Sequence, residues 1–343
     1  MTNREIILAG IKREKTPRLP VILLSSGVWT YHRNGYTLYD ALTGKPEKIA
    51  EMVIRNNIEA GSDVLWTAAD CGNVVLLALG AKCTFNKPGR GATVDEPLIT
   101  CAEDVDKLDL ASLDNSREIA NLLETTRIIS ERVGKEYLIG ISGWGPFTLG
   151  GQMMGVEKFM LYAITEPEEI QHILEFCTKA VIKYWELFLT AGAELVNQSD
   201  PSASGDMISP DMFKRLALPF IRAANTAIDR KAKAKSLHIC GNTSKILDLV
   251  AESGTDMFSL DHKVDLALAA EKLGGKIAFA GQIDPVSVML KGDPDDVAAA
   301  ARGCIAAAGG KPGYILMPGC DVPPNTSIEN VRAMVKVAHE TKL

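Results

Sequence analysis

The stretch SLHICGNTSKILDLVAESGTDMFSLD, residues 236–261, holds one whole unit of an alternating pattern. Ser236–Cys240 is a short apolar run. Thr243–Glu252 then repeats apolar residues at three and four (Ile246, Leu249, Val250), the spacing of one helix face. Ser253-Gly-Thr-Asp256 reads as a turn, and Met257–Asp261 is a second short run. Strand, helix, turn, strand is a crossover unit, the connection that parallel strands require.

The same unit recurs outward from this stretch in both directions. Strand candidates are Pro20–Leu24, Val64–Ala68, Tyr137–Ser142, Glu194–Ser199, Ser236–Cys240, Met257–Asp261, Ile277–Ile283 and Tyr314–Pro318. Between and after them lie helix candidates Lys48–Ala60, Asn115–Val133, Pro167–Ala191, Pro210–Asp229, Thr243–Glu252, Leu266–Leu273, Pro294–Ala308 and Ser327–Glu340. Eight strand-then-helix units predict an α/β fold, a (β/α)8 TIM barrel in a single domain with an N-terminal helical extension. Residues 1–19 would form that helix and a linker capping the barrel's bottom, and residues 20–343 the barrel with its site at the C-terminal face. An open doubly wound sheet is the alternative, but the first strand candidate lacks the Gly-x-Gly-x-x-Gly turn of a dinucleotide binder. Two connections are long, residues 25–46 and 69–114, and long connections on that face carry lids and substrate loops.

Composition removes several function classes. The chain has 343 residues, 46% hydrophobic and 23% charged, enough to fill a large core. A net charge of -6 offers no basic surface for nucleic acid or anionic lipid. No apolar run reaches the roughly 18 residues that cross a bilayer, and the start lacks a signal pattern, so a cytoplasmic protein is expected. Seven cysteines, an odd number in a reducing compartment, favour free thiols or metal ligands over disulfides.

Three residues stand out as ligands. His238 and Cys240 are two apart on one strand, so their side chains share a face. Cys320 follows the last strand in Met317-Pro-Gly-Cys-Asp321. In a barrel all three reach the carboxyl ends of strands, where barrel active sites are built. One imidazole and two thiolates suit Zn2+, and three protein ligands leave the fourth position of a catalytic site open. Copper(I) or iron could use the same donors, whereas sulfur argues against magnesium and calcium. A His-x-Cys pair alone is a weak signal, because buried free cysteine is a common small hydrophobe. Cys177 and Cys304 fall on helical patterns and Cys83 and Cys101 in a long connection; Cys71 is a further candidate ligand or redox-sensitive thiol.

Several motifs converge on one resemblance. Gly145-Pro-Phe-Thr-Leu149, Asp200-Pro-Ser-Ala-Ser204, Ile208-Ser-Pro210, His238-Ile-Cys-Gly241 and Gly281-Gln-Ile-Asp-Pro285 resemble the uroporphyrinogen decarboxylase superfamily along nearly the whole chain. Within it the chain looks most like the zinc-dependent methylcobamide:coenzyme M methyltransferases, whose His-x-Cys and distant C-terminal Cys match His238, Cys240 and Cys320. The decarboxylase branch carries Arg-Gln-Ala-Gly-Arg-Tyr after the first strand. Here Ser25-Ser-Gly-Val-Trp-Thr-Tyr-His-Arg33 stands instead, which disfavours porphyrin decarboxylation.

The resemblance implies methyl transfer from a methylcorrinoid on a partner carrier protein to a zinc-activated thiol such as coenzyme M. The chain lacks the Asp-x-His-x-x-Gly pattern that ligates cobalt, which points to a separate carrier. A tetrapyrrole decarboxylase-like lyase and a non-catalytic corrinoid-binding barrel are the alternatives. Asp200, Asp284 and Gln198 are candidates to orient the histidine or take the thiol proton, with Asp261 and Asp321 as further carboxylates. Against each stands a plain role as a loop or helix cap. Trp29, Tyr31 and Trp144 are candidates to cover the corrinoid or substrate, and His32 or Arg33 to meet an anionic thiol. His262 reads as a polar loop residue.

Overall fold

The computed structural model of the chain describes residues 1–342. Seven parallel strands form one curled sheet in sequence order: β1 (Val64–Thr67), β2 (Leu138–Trp144), β3 (Leu195–Ser199), β4 (Ala234–Ile239), β5 (Met257–Leu260), β6 (Ala278–Ile283) and β7 (Tyr314–Pro318). Helices cross over between them, so the fold is that of a (β/α)8 TIM barrel.

The strand expected at Pro20–Leu24 is the one correction to this count. The segment occupies the gap between β7 and β1 but makes a single bridge, Val21 to Leu316. On that side Ile22 N–H donates to Leu316 O and Leu316 N–H to Pro20 O, both at 3.0 Å. On the β1 side one backbone bond remains, Asp63 N–H to Val21 O at 2.9 Å, and the other contacts are made by side chains. Val21 N–H donates to Asp63 Oδ2 at 2.8 Å, Leu23 N–H to Ser62 Oγ at 3.4 Å, and Trp66 Nε1 to Leu23 O at 2.6 Å. Pro20 brings no N–H, and competing side-chain acceptors take the next donors, so the barrel closes without an eighth regular strand.

Strand parity sorts the inside from the outside. Val64, Leu138, Leu195, Ala234, Met257, Ala278 and Ile315 form an apolar cluster inside the barrel with Ile7 and Ile11 of the N-terminal helix Asn3–Ile11. That helix starts at a capping box, Thr2 with Glu5, and seals the bottom with its isoleucines. Further up β2, β3 and β4 the lining turns polar, while Trp66, Ala280 and Met317 keep it apolar on β1, β6 and β7. Asn197 Nδ2 donates to Ser142 Oγ at 3.0 Å, and Ser236 Oγ–H donates to Asn197 Oδ1. One level below, Gly140 pairs with Leu195, and a Cβ there would lie 2.6 Å from the Trp66 ring.

Two expected helices differ in detail. Pro210–Asp229 runs as Pro210–Met212, a π-helical turn Phe213–Ala217, and Leu218–Ala227. Pro219 cannot donate to the turn before it, and the wider turn absorbs that loss. Thr243–Glu252 contains a 3-10 turn, Ser244–Ile246, before Leu247–Ala251. The long connections are folded rather than open. The first holds helices Gly27–Arg33 and Leu38–Thr43, and the second a helix Val74–Ala78 and a hairpin of Cys83–Thr84 with Thr93–Val94. Among the described residues no helix is long and apolar enough to cross a membrane.

Candidate metal centre

His238 is the penultimate residue of β4, Cys240 lies just past its end, and Cys320 two residues past β7. Gly241 turns the chain directly after Cys240 at φ +79°, and a Cβ there would sit 2.5 Å from Asp206 Oδ2 and Ser204 Oγ. Asp261 Oδ2 accepts the Gly241 N–H at 2.8 Å, which pins that turn.

The three side chains meet. His238 Nε2 is 3.1 Å from Cys240 Sγ and 3.9 Å from Cys320 Sγ, and the sulfurs are 3.8 Å apart. Both cysteines are free. A tetrahedral zinc with bonds of about 2.3 Å to sulfur and 2.0 Å to nitrogen would set the sulfurs about 3.8 Å apart and each nitrogen–sulfur pair about 3.5 Å apart. The observed triangle has the same size, so the donor set fits that ion. On the far side of the ring, Nδ1 lies 2.7 Å from Ser259 Oγ, whose hydrogen points to Met317 Sδ at 3.9 Å. With Ser259 Oγ accepting from Nδ1–H, the Nε2 lone pair is left to face the sulfurs, the tautomer a metal ligand needs.

Burial of His238 works to lower its pKa, but Cys320, with Asp321 and Asp261 behind it, outweighs burial and raises it. The Cys320 thiol is pushed up by its contact with Cys240 and by burial. Among the described residues no other group of three such ligands comes together. Cys71 is fully buried and is not one of the three grouped ligands, and burial raises its pKa.

Beside the cluster lies a cavity of ≈ 380 Å³, lined among others by Asp70, Arg90, Trp144, Asn197, Ser199 and Asp321. Asp321 directly follows Cys320, and Ser199 pairs in register with His238. Asp321 Oδ1 accepts the Ser26 N–H at 2.9 Å. Asp70 accepts the Ser25 Oγ–H at 3.0 Å and the Val28 N–H at 2.7 Å. Both carboxyl pKa values are raised, mainly by burial, that of Asp321 also by the charge of Asp70. The backbone here is left-handed at four non-glycine residues, Ser25 (φ 30°), Ser26 (54°), Ala68 (47°) and Asp70 (59°). Such strain persists only where surrounding contacts over-determine it.

The other residues singled out in the sequence lie as follows. Trp144 lines the cavity and donates through Nε1 to Asn73 Oδ1 at 2.5 Å. Trp29 is fully buried, with Nε1 donating to Thr326 O at 2.9 Å, and Tyr31 is buried, its pKa raised by burial and nearby Cys71 and Asp70. Gln198 and Asp200 are buried outside the barrel wall. Gln198 shares the outward parity of Val196, and Asp200 Oδ1 accepts the Thr148 N–H at 2.7 Å in the first turn of helix Pro146–Met154. Burial pushes the Asp200 carboxyl up to about 6. Asp284 caps the turn after β6, its Oδ1 accepting the N–H groups of Val286 and Ser287 at 2.8 Å. His262 bridges Asp261 and Asp284, at 3.0 and 3.9 Å. His32 contacts Asn325, while Arg33 pairs with Glu59 at 3.0 Å and stacks on Trp29.

Six residues of the site escape the sequence reading: Ser259, Asn197, Ser199, Ser142, Asp70 and Arg90. Register gives Ser259 away, since it pairs with His238 across β4 and β5.

Residues 2–341 match the family model described as uroporphyrinogen decarboxylase (URO-D). The chain belongs to the uroporphyrinogen decarboxylase family. Within this family it is 27% identical over 339 residues to the methylcobamide:CoM methyltransferase MtbA of Methanosarcina mazei, covering 98% of the chain and 97% of the relative. It is 28% identical over 345 residues to MtaA of Methanosarcina barkeri, another methylcobamide:CoM methyltransferase, covering 99% and 98%. A solved methyltransferase from Methanosarcina mazei superposes with a TM-score of 0.89 at 26% identity, over 99% of each chain. That likeness shows the barrel fold across the family member's whole length.

Proposed function

We propose that this chain is a corrinoid-dependent methyltransferase that moves a methyl group from a methylcobamide on a separate carrier protein to a small thiol. A zinc ion held by His238 Nε2, Cys240 Sγ and Cys320 Sγ would serve the thiol. The observation that carries the reading is the His238–Cys240–Cys320 triangle, with every ligand atom within 4.8 Å of the others, in a chain whose relatives include proteins named methylcobamide:CoM methyltransferases as well as uroporphyrinogen decarboxylases.

A free thiol with a pKa near 8.5 is only a few per cent ionised at neutral pH, which limits its attack. Zinc, when bound, supplies Lewis acidity that keeps an added thiol in its nucleophilic form. The chain's own residues do the rest. Ser259 holds the His238 ring in one tautomer, Asp261 pins the Gly241 turn behind Cys240, and Trp144 with Ser199 and Asn197 bounds the space beside the sulfurs. Overall, a sulfur–carbon bond forms and the carbon–cobalt bond breaks with its electron pair left on cobalt, and the thiol proton leaves to solvent.

Tetrapyrrole decarboxylation finds less support. Such a substrate presents many carboxylates, whereas Arg90 is the one basic residue of the cavity lining. Metal analysis of the purified protein tests the reading. Roughly one equivalent of zinc, lost in His238→Ala and Cys320→Ala together with methyl transfer, is the expected result. Metal-free protein with reduced cysteines and full turnover would overturn it.

A further inference from the structure

Of the four tryptophans, Trp144 alone lines the cavity beside the cluster, and it is held differently from the rest. Trp29 and Trp66 give their indole N–H to backbone carbonyls, of Thr326 and Leu23, and Trp185 Nε1 has no partner among the described residues. Trp144 Nε1 donates to a side chain, Asn73 Oδ1, at 2.5 Å. The indole face lies against the backbone of Gly72. A Cβ at that glycine would stand 3.1, 3.2 and 3.3 Å from Nε1, Cδ1 and Cε2 of the ring. Edge and face are thus both fixed by consecutive residues of the connection after β1. Asn73 is itself buried, and its other end reaches a further part of the cavity lining. Nδ2 donates to Ala92 O at 3.2 Å, and Ala92 leads into the second strand of the hairpin that Cys83–Thr84 forms with Thr93–Val94. A buried amide is tolerated when its hydrogen bonds are met, as they are at both ends here. An apolar side chain would fill the same place without that demand. What the amide adds is direction, since its oxygen and its N–H, on one planar group, set two parts of the wall relative to each other.

Resting on the zinc–thiol reading above, we infer that Asn73 is a positioning residue for the methyl acceptor. It holds the Trp144 indole, with Gly72 behind it, and the Ala92 segment where they meet the tail of a thiol whose sulfur is on the metal. Asn73 touches no reacting atom; it acts through Trp144. An indole freed from Asn73 must give up that freedom when the thiol binds, and the cost falls on the affinity of the thiol. The metal's own affinity stays with His238, Cys240 and Cys320, none of which shares a hydrogen bond with the Asn73 amide.

A double-mutant cycle on the zinc-replete protein tests this, read by calorimetry with 2-mercaptoethanesulfonate and 2-mercaptoethanol as the thiol probes. Asn73→Leu and Trp144→Phe should each weaken the tighter-binding probe about five- to tenfold. Together they should weaken it no more than about twofold beyond either alone, since both remove one arrangement. Zinc content should not change in Asn73→Leu. Gly72→Ala removes no hydrogen-bonding group, yet the added methyl must displace the indole. It should weaken the same probe about threefold or more, and lose that effect in a Trp144→Phe background. A purely structural Asn73 would lower the melting temperature and leave the Kd of the probe at the parent's value, and that result overturns the inference. Effects of Asn73→Leu and Trp144→Phe that multiply overturn it as well, because the two residues would then act separately. Should Asn73→Leu fail to fold, Gly72→Ala with and without Trp144→Phe decides: a loss that persists without the indole overturns the inference. If neither probe binds the zinc-replete parent, the zinc–thiol reading falls and this inference with it. If a probe binds the parent and Asn73→Leu alike, the inference falls and the zinc–thiol reading stands.

Discussion

The two ends of the barrel are built on opposite terms. At the bottom, seven inward strand residues and the two isoleucines of the N-terminal helix pack into an apolar plug. The charge nearby is paired: Arg18 Nη2 and Asp63 Oδ1 are 2.5 Å apart. At the mouth, the same inward parity delivers His238, Ser199, Ser142 and Asn197. The backbone turns left-handed at four non-glycine residues, and two half-buried carboxylates have no ion-pair partner among the described residues. Apolar burial at the bottom contributes the stability that strain and desolvation at the mouth offset. A barrel divided in this way separates the residues that hold it from those that react.

The sharpest break of that division comes at the mouth. Cys320→Ala should lower methyl transfer about a thousandfold or more and abolish zinc binding, since the Lewis acid is worth several kcal/mol to the reaction. With a chelator in both samples the variant should melt with the parent, because no core contact is lost. Turnover and metal content within a few-fold of the parent would mean that the mouth works by another device.

At the bottom the expected effects reverse. Ile7→Ala leaves a hole under the apolar cluster and should cost about 2–4 kcal/mol in denaturant unfolding, while zinc content and turnover of the folded protein hold. A fall in turnover without loss of stability would show that the plug is coupled to the site.

Asp200 sharpens the comparison on the outer side of the mouth. Its folded pKa of about 6 lies above the ordinary carboxylate value because burial penalises the charged form. The folded state therefore holds this proton over a pH range in which the unfolded state has released it. Stability from this group is full below pH ~4 and falls as pH rises towards ~6, by a total on the order of 2–3 kcal/mol. Asp200→Asn removes that titration, so parent minus variant stability should drop by this amount between pH 4 and pH 7. A difference flat across that range would mean that the carboxylate stays ionised.

Much of this architecture is legible in the chain. The repeat at 236–261 yields the parallel barrel, and two-residue spacing puts His238 and Cys240 on one face, with Cys320 brought round by the fold. What is not legible has physical causes. In β3, Leu195 and Val196 are both apolar, so alternation gives no direction and Gln198 is as plausible as Asn197; the structure turns Asn197 and Ser199 inward. Trp29 belongs to an aromatic loop whose helix, Gly27–Arg33, packs it inside, and no short sequence period encodes that packing. Asp284 reads the same whether it reacts or caps a turn, and only the Val286 and Ser287 N–H groups reveal the cap. Pro20–Leu24 looks like a strand because strand composition says nothing of which side chains will intercept its N–H groups.

The smallest effect tests the mouth most finely. Ser259 touches no substrate in the proposed chemistry; it is a positioning residue that acts through the His238 ring, 2.7 Å from Nδ1. Removing such a partner of a metal-ligating histidine typically lowers metal affinity about 10- to 100-fold. Ser259→Ala should therefore weaken zinc by this factor in chelator competition and leave turnover near that of the parent once zinc is saturating. Ser259→Thr keeps the hydroxyl and should restore most of the affinity. A purely structural serine would instead show a stability loss that threonine does not repair, with zinc affinity unmoved. The pair of variants thus separates a hydroxyl that sets a tautomer from one that merely fills a buried place beside Met317.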